Sequence, residues 1–222
     1  MIYDVLEYGA KADGVTNDIA AIQKAIDECS AAGGGQVVLR SGRTYYSSSI
    51  IIKPYVDLHL ERGSVLKAHS DLTTYFHPNE GQKDNGVKIE GTPVTLKPSY
   101  AFIYAKDADH MAITGDGVID GNAFAFVKQV SQYYVTGDFY PRPTVIYVEH
   151  CNHINFTNII IRNVSFWTLH TAGCDDVLID RIRILNDLNV ANSDGIDPDH
   201  STNVCKAYSH CGNITNFENF AL

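Results

Sequence analysis

The densest patch of acid in this 222-residue chain is Asn192-Ser193-Asp194-Gly195-Ile196-Asp197-Pro198-Asp199. Carboxylates this close repel one another, and such a cluster serves as general acid/base equipment, as a cation site, or as a solvated turn. If the stretch is extended, alternation puts Asn192 and Asp194 on one face and Ser193 on the other. Gly195 then lets the register bend so that Asp197 rejoins the polar face. Choosing among the three roles requires knowing what frame presents the acids.

That frame is a repeat. Cys151-Asn152-His153-Ile154-Asn155-Phe156 returns as Cys174-Asp175-Asp176-Val177-Leu178-Ile179 after a fixed step of 23 residues. Ile154, Phe156, Ile159, Ile161 and Asn163 overlay Val177, Ile179, Ile182, Ile184 and Asn186, and a weaker copy begins at Asp109-His110-Met111-Ala112-Ile113. Two short apolar strands per repeat of this length predict a coil that stacks rung on rung, an all-β parallel solenoid. Leucines do not recur at fixed places, so a leucine-rich repeat does not fit. His170 precedes Asp194 by 24 residues, about one rung. Rungs lie about 4.8 Å apart, so His170 is either a neighbour of the acids or a structural histidine.

Ahead of the repeats, Ile19, Ile22, Ile26 and Cys29 space an amphipathic helix that Thr16 or Asn17 can cap, with Asp18 in its first turn and Gly33-Gly34-Gly35 at its end. A single helix before a run of strands predicts a cap over the open end of the coil, with residues 1–35 forming that cap. Strands follow at Val37-Val38-Leu39, Ile50-Ile51-Ile52, Val56 to Leu60 and Val65-Leu66. Two stretches interrupt the coil, His69 to Tyr100 and Asn122 to Pro143. They are expected to emerge as loops. Phe124, Phe126, Tyr133, Tyr134, Phe139 and Tyr140 in the second are placed either to stack on a ligand ring or to pack on the coil. After Val204 the apolar pattern stops, because Ile179, Ile182 and Ile184 overlay Lys206, Ser209 and Cys211. We therefore expect one domain, 1–222, whose residues 205–222 depart from the repeat.

Composition narrows the partners. Seventeen Lys plus Arg against 26 Asp plus Glu give a net charge of −9, which argues against nucleic acid and anionic membrane and requires a local basic patch for any acidic polymer. No apolar run is long enough to span a membrane, and the start Met1-Ile2-Tyr3-Asp4 lacks a signal-peptide pattern, which leaves a mature exported form or a cytoplasmic one. Five cysteines without a CxxC pair predict buried free thiols rather than a disulfide framework or zinc site.

Several segments resemble glycoside hydrolase family 28, the polygalacturonases and related pectinases. They are Tyr8-Gly9-Ala10 with Asp13-Gly14, Gly33-Gly34-Gly35, Leu58-His59-Leu60-Glu61, Gly115-Asp116-Gly117-Val118-Ile119-Asp120-Gly121, Arg142-Pro143, Phe166-Trp167-Thr168-Leu169-His170 and the acid stretch itself. The first block is shared with other β-helix proteins, phage tailspikes included, whereas the Trp-Thr-Leu-His and Asn-Ser-Asp-Gly-Ile-Asp segments together are specific. The resemblance implies a right-handed parallel β-helix that hydrolyses galacturonic acid linkages of pectin-type polysaccharide with inversion, without cofactor or metal, as a monomer outside the cell or in the periplasm. Asp194 then matches the family's first catalytic aspartate, in the water-activating group. Asn192, Asp197, His170 and Trp167 match substrate-facing positions.

About one rung later the family carries an Asp-Asp pair holding the general acid, a Gly-His-Gly histidine and a substrate-gripping Arg-x-Lys. The place of the pair reads Thr215-Asn216-Phe217-Glu218 here, and Asp175-Asp176 falls in a turn of the overlay and is read as structural. Impaired hydrolysis is therefore the expectation for this chain. The alternatives are a non-catalytic polysaccharide-binding or tailspike-like β-helix and, third, a calcium-dependent pectate lyase fed by Asp194, Asp197 and Asp199.

Overall fold

Strands of three to six residues with alternating apolar side chains cannot each bury a face alone, and stacking successive turns of one chain solves that problem. A computed structural model shows this arrangement. It describes residues 1–78, 86–87, 95–130, 133–134, 142–207 and 209–213, the backbone alone for 86–87, 95–96, 129–130, 133–134 and 211–213. Three parallel sheets, two of seven strands and one of five, form the walls of a parallel β-helix. Each full turn adds one strand to each wall. The five-stranded wall runs from Ile50–Ile52 through Ala101–Lys106, Thr144–Glu149 and Leu169–Ala172 to Ile196–Asp199.

The 23-residue overlay is the register of the molecule. Ile154 pairs with Val177, Phe156 with Ile179, and Ile161 with Ile184, and all six side chains are at most 1% exposed in one continuous core. The weaker upstream copy is stacked below, Ile113 under Phe156 and Ile119 under Ile161, at steps of 43 and 42 residues. Both Ile113 and Ile119 are fully buried, on two walls of the same rung. The glycine of Gly115-Asp116-Gly117 is required by space: at φ +110° a Cβ on Gly115 would lie 2.0 Å from the Leu60 carbonyl oxygen.

The helix Ile19–Ala31 closes one end, burying Ala21, Ile22, Ala25, Ile26 and Cys29. Gln23 completes the cap: its side-chain amide accepts from Ile51 N at 2.9 Å and donates to Ile51 O at 3.0 Å, satisfying the edge of the five-stranded wall. The helix start differs from the expectation in one respect. Asn17 Oδ1 does receive Ile19 N at 3.1 Å, but the Asp18 carboxylate turns away to take Lys11 N at 2.6 Å and Ala12 N at 3.0 Å. Asp18 thus ties the entry loop rather than serving the helix dipole.

Turns between rungs are also stacked. Tyr55, His110, His153, Asp176 and Asn203 all adopt left-handed backbone angles. Tyr55, His110 and His153 stack as rings 4.9 and 4.8 Å apart, and His153 Nδ1 meets Asp176 Oδ2 at 2.6 Å. Asp175 accepts hydrogen bonds from Thr202 and Asn203. The Asp175-Asp176 pair is therefore turn scaffolding.

Cys29, Cys151 and Cys174 are buried free thiols. Cys205 is exposed, contrary to expectation, because it pairs with Leu178 at an outward position. Beyond Val204, the point where the apolar pattern stops, the backbone continues the coil: Thr202–Ala207 and His210–Asn213 pair in parallel with the preceding rung, and Lys206 stands opposite Ile179. The interrupting stretches contribute two short antiparallel ribbons, Gly86–Val87 with Thr95–Leu96 and Gln129–Val130 with Tyr133–Tyr134. Phe126 joins the core and Phe124 is 66% exposed. Phe139, Tyr140 and the segment Thr215 to Glu218 lie outside the described residues.

Candidate active site

On the outer face of the five-stranded wall, one register row reads Ile51, Tyr104, Tyr147, His170, Asp197. The next outward row reads Lys106, Glu149, Ala172, Asp199. His170 therefore faces Asp197 at a step of 27 residues, not Asp194 at 24. The cause is local. Asn163 to Leu169 and Asn186 to Ile196 are equivalent connections, and the second is four residues longer. Thr168 N to Asp194 O and Leu169 N to Gly195 O already hold Asp194 in this 27-residue register, so the surplus lies before it, in the turn from Asp187 to Ser193. Only Ile196–Asp199 is strand. The first half of the acid stretch is thus a turn, and Asn192 sits in it at φ +60°.

This turn is tied from three sides. Thr168 N donates to Asp194 O at 3.0 Å, and Leu169 N to Gly195 O at 3.3 Å, so the Trp-Thr-Leu-His segment fixes the backbone of the aspartate. Asn186 Nδ2 bridges Thr168 Oγ1 at 2.9 Å and Ser193 O at 3.1 Å. Arg142, 2% exposed and 5.0 Å over the Phe166 ring, donates to Ser165 O at 2.9 Å, Ala191 O at 2.6 Å and Asn192 Oδ1 at 3.0 Å. The consequence is an exposed Asp194 carboxylate on a backbone held by hydrogen bonds at Ala191, Ser193, Asp194 and Gly195.

Asp197 is half-buried, and one of its oxygens has no hydrogen-bond partner among the described residues. Burial, then the charges of Asp194 and Asp199, push its carboxyl up to about 6. A group so placed gives or takes a proton near neutral pH. His170 is 2% exposed, packed against Trp167 edge-to-face at 5.0 Å and against Tyr147 at 5.1 Å. Its Nε2 lies 3.7 Å from Asp199 Oδ2. Burial lowers its pKa although Asp199 opposes that, so the imidazole is uncharged at neutral pH. Trp167 is partly exposed at the rim.

The structure thus brings Asn192, Asp194, Asp197, His170 and Trp167 to one end of one wall, with His170 set beneath the surface. Sequence reasoning missed Arg142 as the tie of the turn, and Asp199 as the nearest carboxylate to His170. Both were visible as motif residues, but their roles depend on the four-residue surplus. No group of three or more His, Cys, Asp or Glu side chains among the described residues is arranged to hold a metal ion.

Three parallel walls closed into one coil, with the carboxylates of Asp194, Asp197 and Asp199 at one end of one wall, define a parallel β-helix. Residues 69–214 match the profile of Glycosyl hydrolases family 28, and the chain belongs to that family. It is 27% identical over 207 residues to a protein named "Probable polygalacturonase" of Vitis vinifera, covering 90% of this chain and 40% of that one. It is 24% identical over 204 residues to Endo-xylogalacturonan hydrolase A of Aspergillus tubingensis, covering 88% and 44%. The fold matches an exopolygalacturonase from Thermotoga maritima at TM-score 0.76 and 22% identity, over 96% of this chain and 52% of that one. The chain spans about two fifths of the length of the curated relatives it matches.

Proposed function

We propose that this chain carries the water-activating part of an inverting hydrolase site for pectin-type polysaccharide, its linkages those of galacturonic acid. The observation that carries the reading is the tied turn, which holds an exposed Asp194 beside Asp197 in a family of glycoside hydrolases. Inversion needs one carboxylate to deprotonate water and a carboxylic acid on the opposite face of the sugar ring for the leaving oxygen. Asp194 takes the first role. Asp197, protonated below about pH 6, donates a hydrogen bond to the sugar without adding charge against a uronate. Asn192 and Trp167 border the sugar, and His170 supports Asp199 and Trp167 from beneath. The place of the family's general acid, Thr215 to Glu218, lies outside the described residues.

A polymer of this kind belongs to cell walls, so the site works outside the cell or in the periplasm. Among the described residues no helix is long and apolar enough to cross a membrane.

The test is reducing-end release from polygalacturonate by the purified 222-residue chain, alongside Asp194→Asn and Glu218→Gln. With general acid assistance worth about 10²- to 10⁴-fold, the expected result is very weak turnover that Asp194→Asn removes. Turnover untouched by Asp194→Asn would refute the assignment, and release accompanied by a rise in ultraviolet absorbance would indicate a lyase instead. Robust turnover lost in Glu218→Gln would name Glu218 as the acid.

A further inference from the structure

The chain leaves the five-stranded wall through a corner that repeats from rung to rung. Asp107, His150, Gly173 and His200 occupy it with left-handed backbone angles, and Ala108, Cys151, Cys174 and Ser201 follow them. Glu149 pairs with Ala172 on one side of the corner and Asn152 with Asp175 on the other, so Cys151 and Cys174 stand directly one above the other. Both belong to the continuous core, at 0% and 2% exposure. Rungs lie about 4.8 Å apart, and a disulfide joins Cα atoms about 4.4–6.8 Å apart. Cys29 lies on the helix and Cys205 faces outward, so no other pair of thiols shares a corner among the described residues.

The fold does not need the two thiol hydrogens. Cys151 Sγ donates to Glu149 O at 3.3 Å, and Cys174 Sγ donates to Ala172 O and Val148 O, each at 3.7 Å. Glu149 O already receives Asp107 N at 3.2 Å, and Ala172 O receives His150 N at 3.0 Å. Loss of both S–H groups therefore leaves these two carbonyls paired. One rung on, Ser201 Oγ takes Cys174 N at 3.2 Å and donates to Asp199 O at 3.2 Å, so a hydroxyl suffices to tie this corner. What sulfur adds is redox chemistry. The two thiols also touch: the hydrogen bond between them, with burial, pushes Cys151 up, and the same bond holds Cys174 below its ordinary value, which makes Cys174 the readier thiolate.

We propose that Cys151 and Cys174 are a disulfide site, whose oxidation bolts the rung that carries His170 to the rung beneath it. The oxidant is an external disulfide, either a small molecule or a thiol oxidoreductase. The Cys174 thiolate attacks one of its sulfurs, forming a mixed disulfide and releasing one thiol. Cys151 then attacks the Cys174 sulfur and releases the second. Two hydrogens pass from the cysteines to the released thiols, the cysteines are oxidised and the external disulfide is reduced. Because both sulfurs are buried in the closed coil, exchange takes place during folding, before Ile196–Asp199 and Thr202–Ala207 cover the corner. An oxidising compartment preserves such a bond, in keeping with the location proposed above, and the cysteine geometry is the same whether or not the chain hydrolyses pectin.

In the experiment the full chain is refolded from denaturant in a buffer of oxidised and reduced glutathione, and in parallel in dithiothreitol, then alkylated, digested and mapped by mass spectrometry. The expected result is a linked peptide joining Cys151 to Cys174 in the glutathione sample alone, with a melting temperature about 5–10 °C above that of the reduced protein, as closure of a loop of this length implies. The double variant Cys151→Ser, Cys174→Ser keeps a hydroxyl at each corner and melts at one temperature in both buffers. Alkylated Cys151 and Cys174 after glutathione refolding would overturn the proposal and leave the cysteines as corner ties like Ser201. So would a bridge that does not raise the melting temperature, or a buffer-dependent melt that persists in the double variant. Mapping of the unaltered chain decides the bridge even where the serine variant fails to fold.

Discussion

On the inner face of the five-stranded wall one row reads Ile103, Ile146, Leu169, Ile196, and one residue along, on the outer face, it reads Tyr104, Tyr147, His170, Asp197. The same backbone hydrogen bonds carry both rows, so backbone geometry does not distinguish them. Inside, each side chain meets a neighbour of its own kind directly above and below, and any change of volume is felt by two rungs. Outside, chemistry changes from aromatic to imidazole to carboxylate over four strands, because no common core constrains it. The inner row builds the scaffold, and the outer row carries the polar side chains of the proposed site.

Four substitutions break or sharpen that contrast, ranked by their effect on stability. Phe156→Ala, at an inner position that is fully buried between Ile113 and Ile179, should cost about 3–5 kcal/mol in chemical unfolding. Arg142→Met should cost about 2–3 kcal/mol by leaving the Ser165 and Ala191 carbonyls without their donor. Arg142 lies off both rows, and a smaller loss than Phe156→Ala would show that the acid turn is stabilised separately from the core. If Arg142→Met also leaves oligosaccharide binding intact, the turn does not need that tie.

Asp197→Asn tests the outer face through pH. The folded carboxyl titrates at about 6 against an ordinary 3.8, so folding binds an extra proton between those values. Its contribution is complete below about pH 4 and is lost as pH rises through 6, after which the charged group only destabilises. Asp197→Asn should therefore raise stability at pH 7 by about 1 kcal/mol, allowing for solvent screening, and flatten the decline between pH 4 and 6. A melt series across that range checks both. Asp194→Asn, exposed on the turn, should shift stability by no more than about 0.5 kcal/mol while removing turnover, a separation that unfolding and activity assays on one sample resolve.

The 23-residue step in the sequence specified the coil, the rungs carrying Ile154, Phe156, Ile159 and Ile161, and the inward direction of each. Periodic burial is a local property written along the chain. The identities Asn192, Asp194, Asp197, His170 and Trp167 were legible too, as residue types within motifs. Which of them meet was not. That depends on counting residues through turns: the four extra residues between Asn186 and Asp194 moved Asp197, not Asp194, opposite His170 and left Asp194 level with Trp167. Likewise the 43-residue step that stacks Tyr104 and Lys106 on Tyr147 and Glu149 is hidden by the stretch inserted after Gly121, so the ion pair between Lys106 and Glu149 has no signature in the repeat. Apolar pattern sets which face is buried, whereas the lengths of the intervening turns set which polar residues become neighbours, and only the closed coil reveals the second.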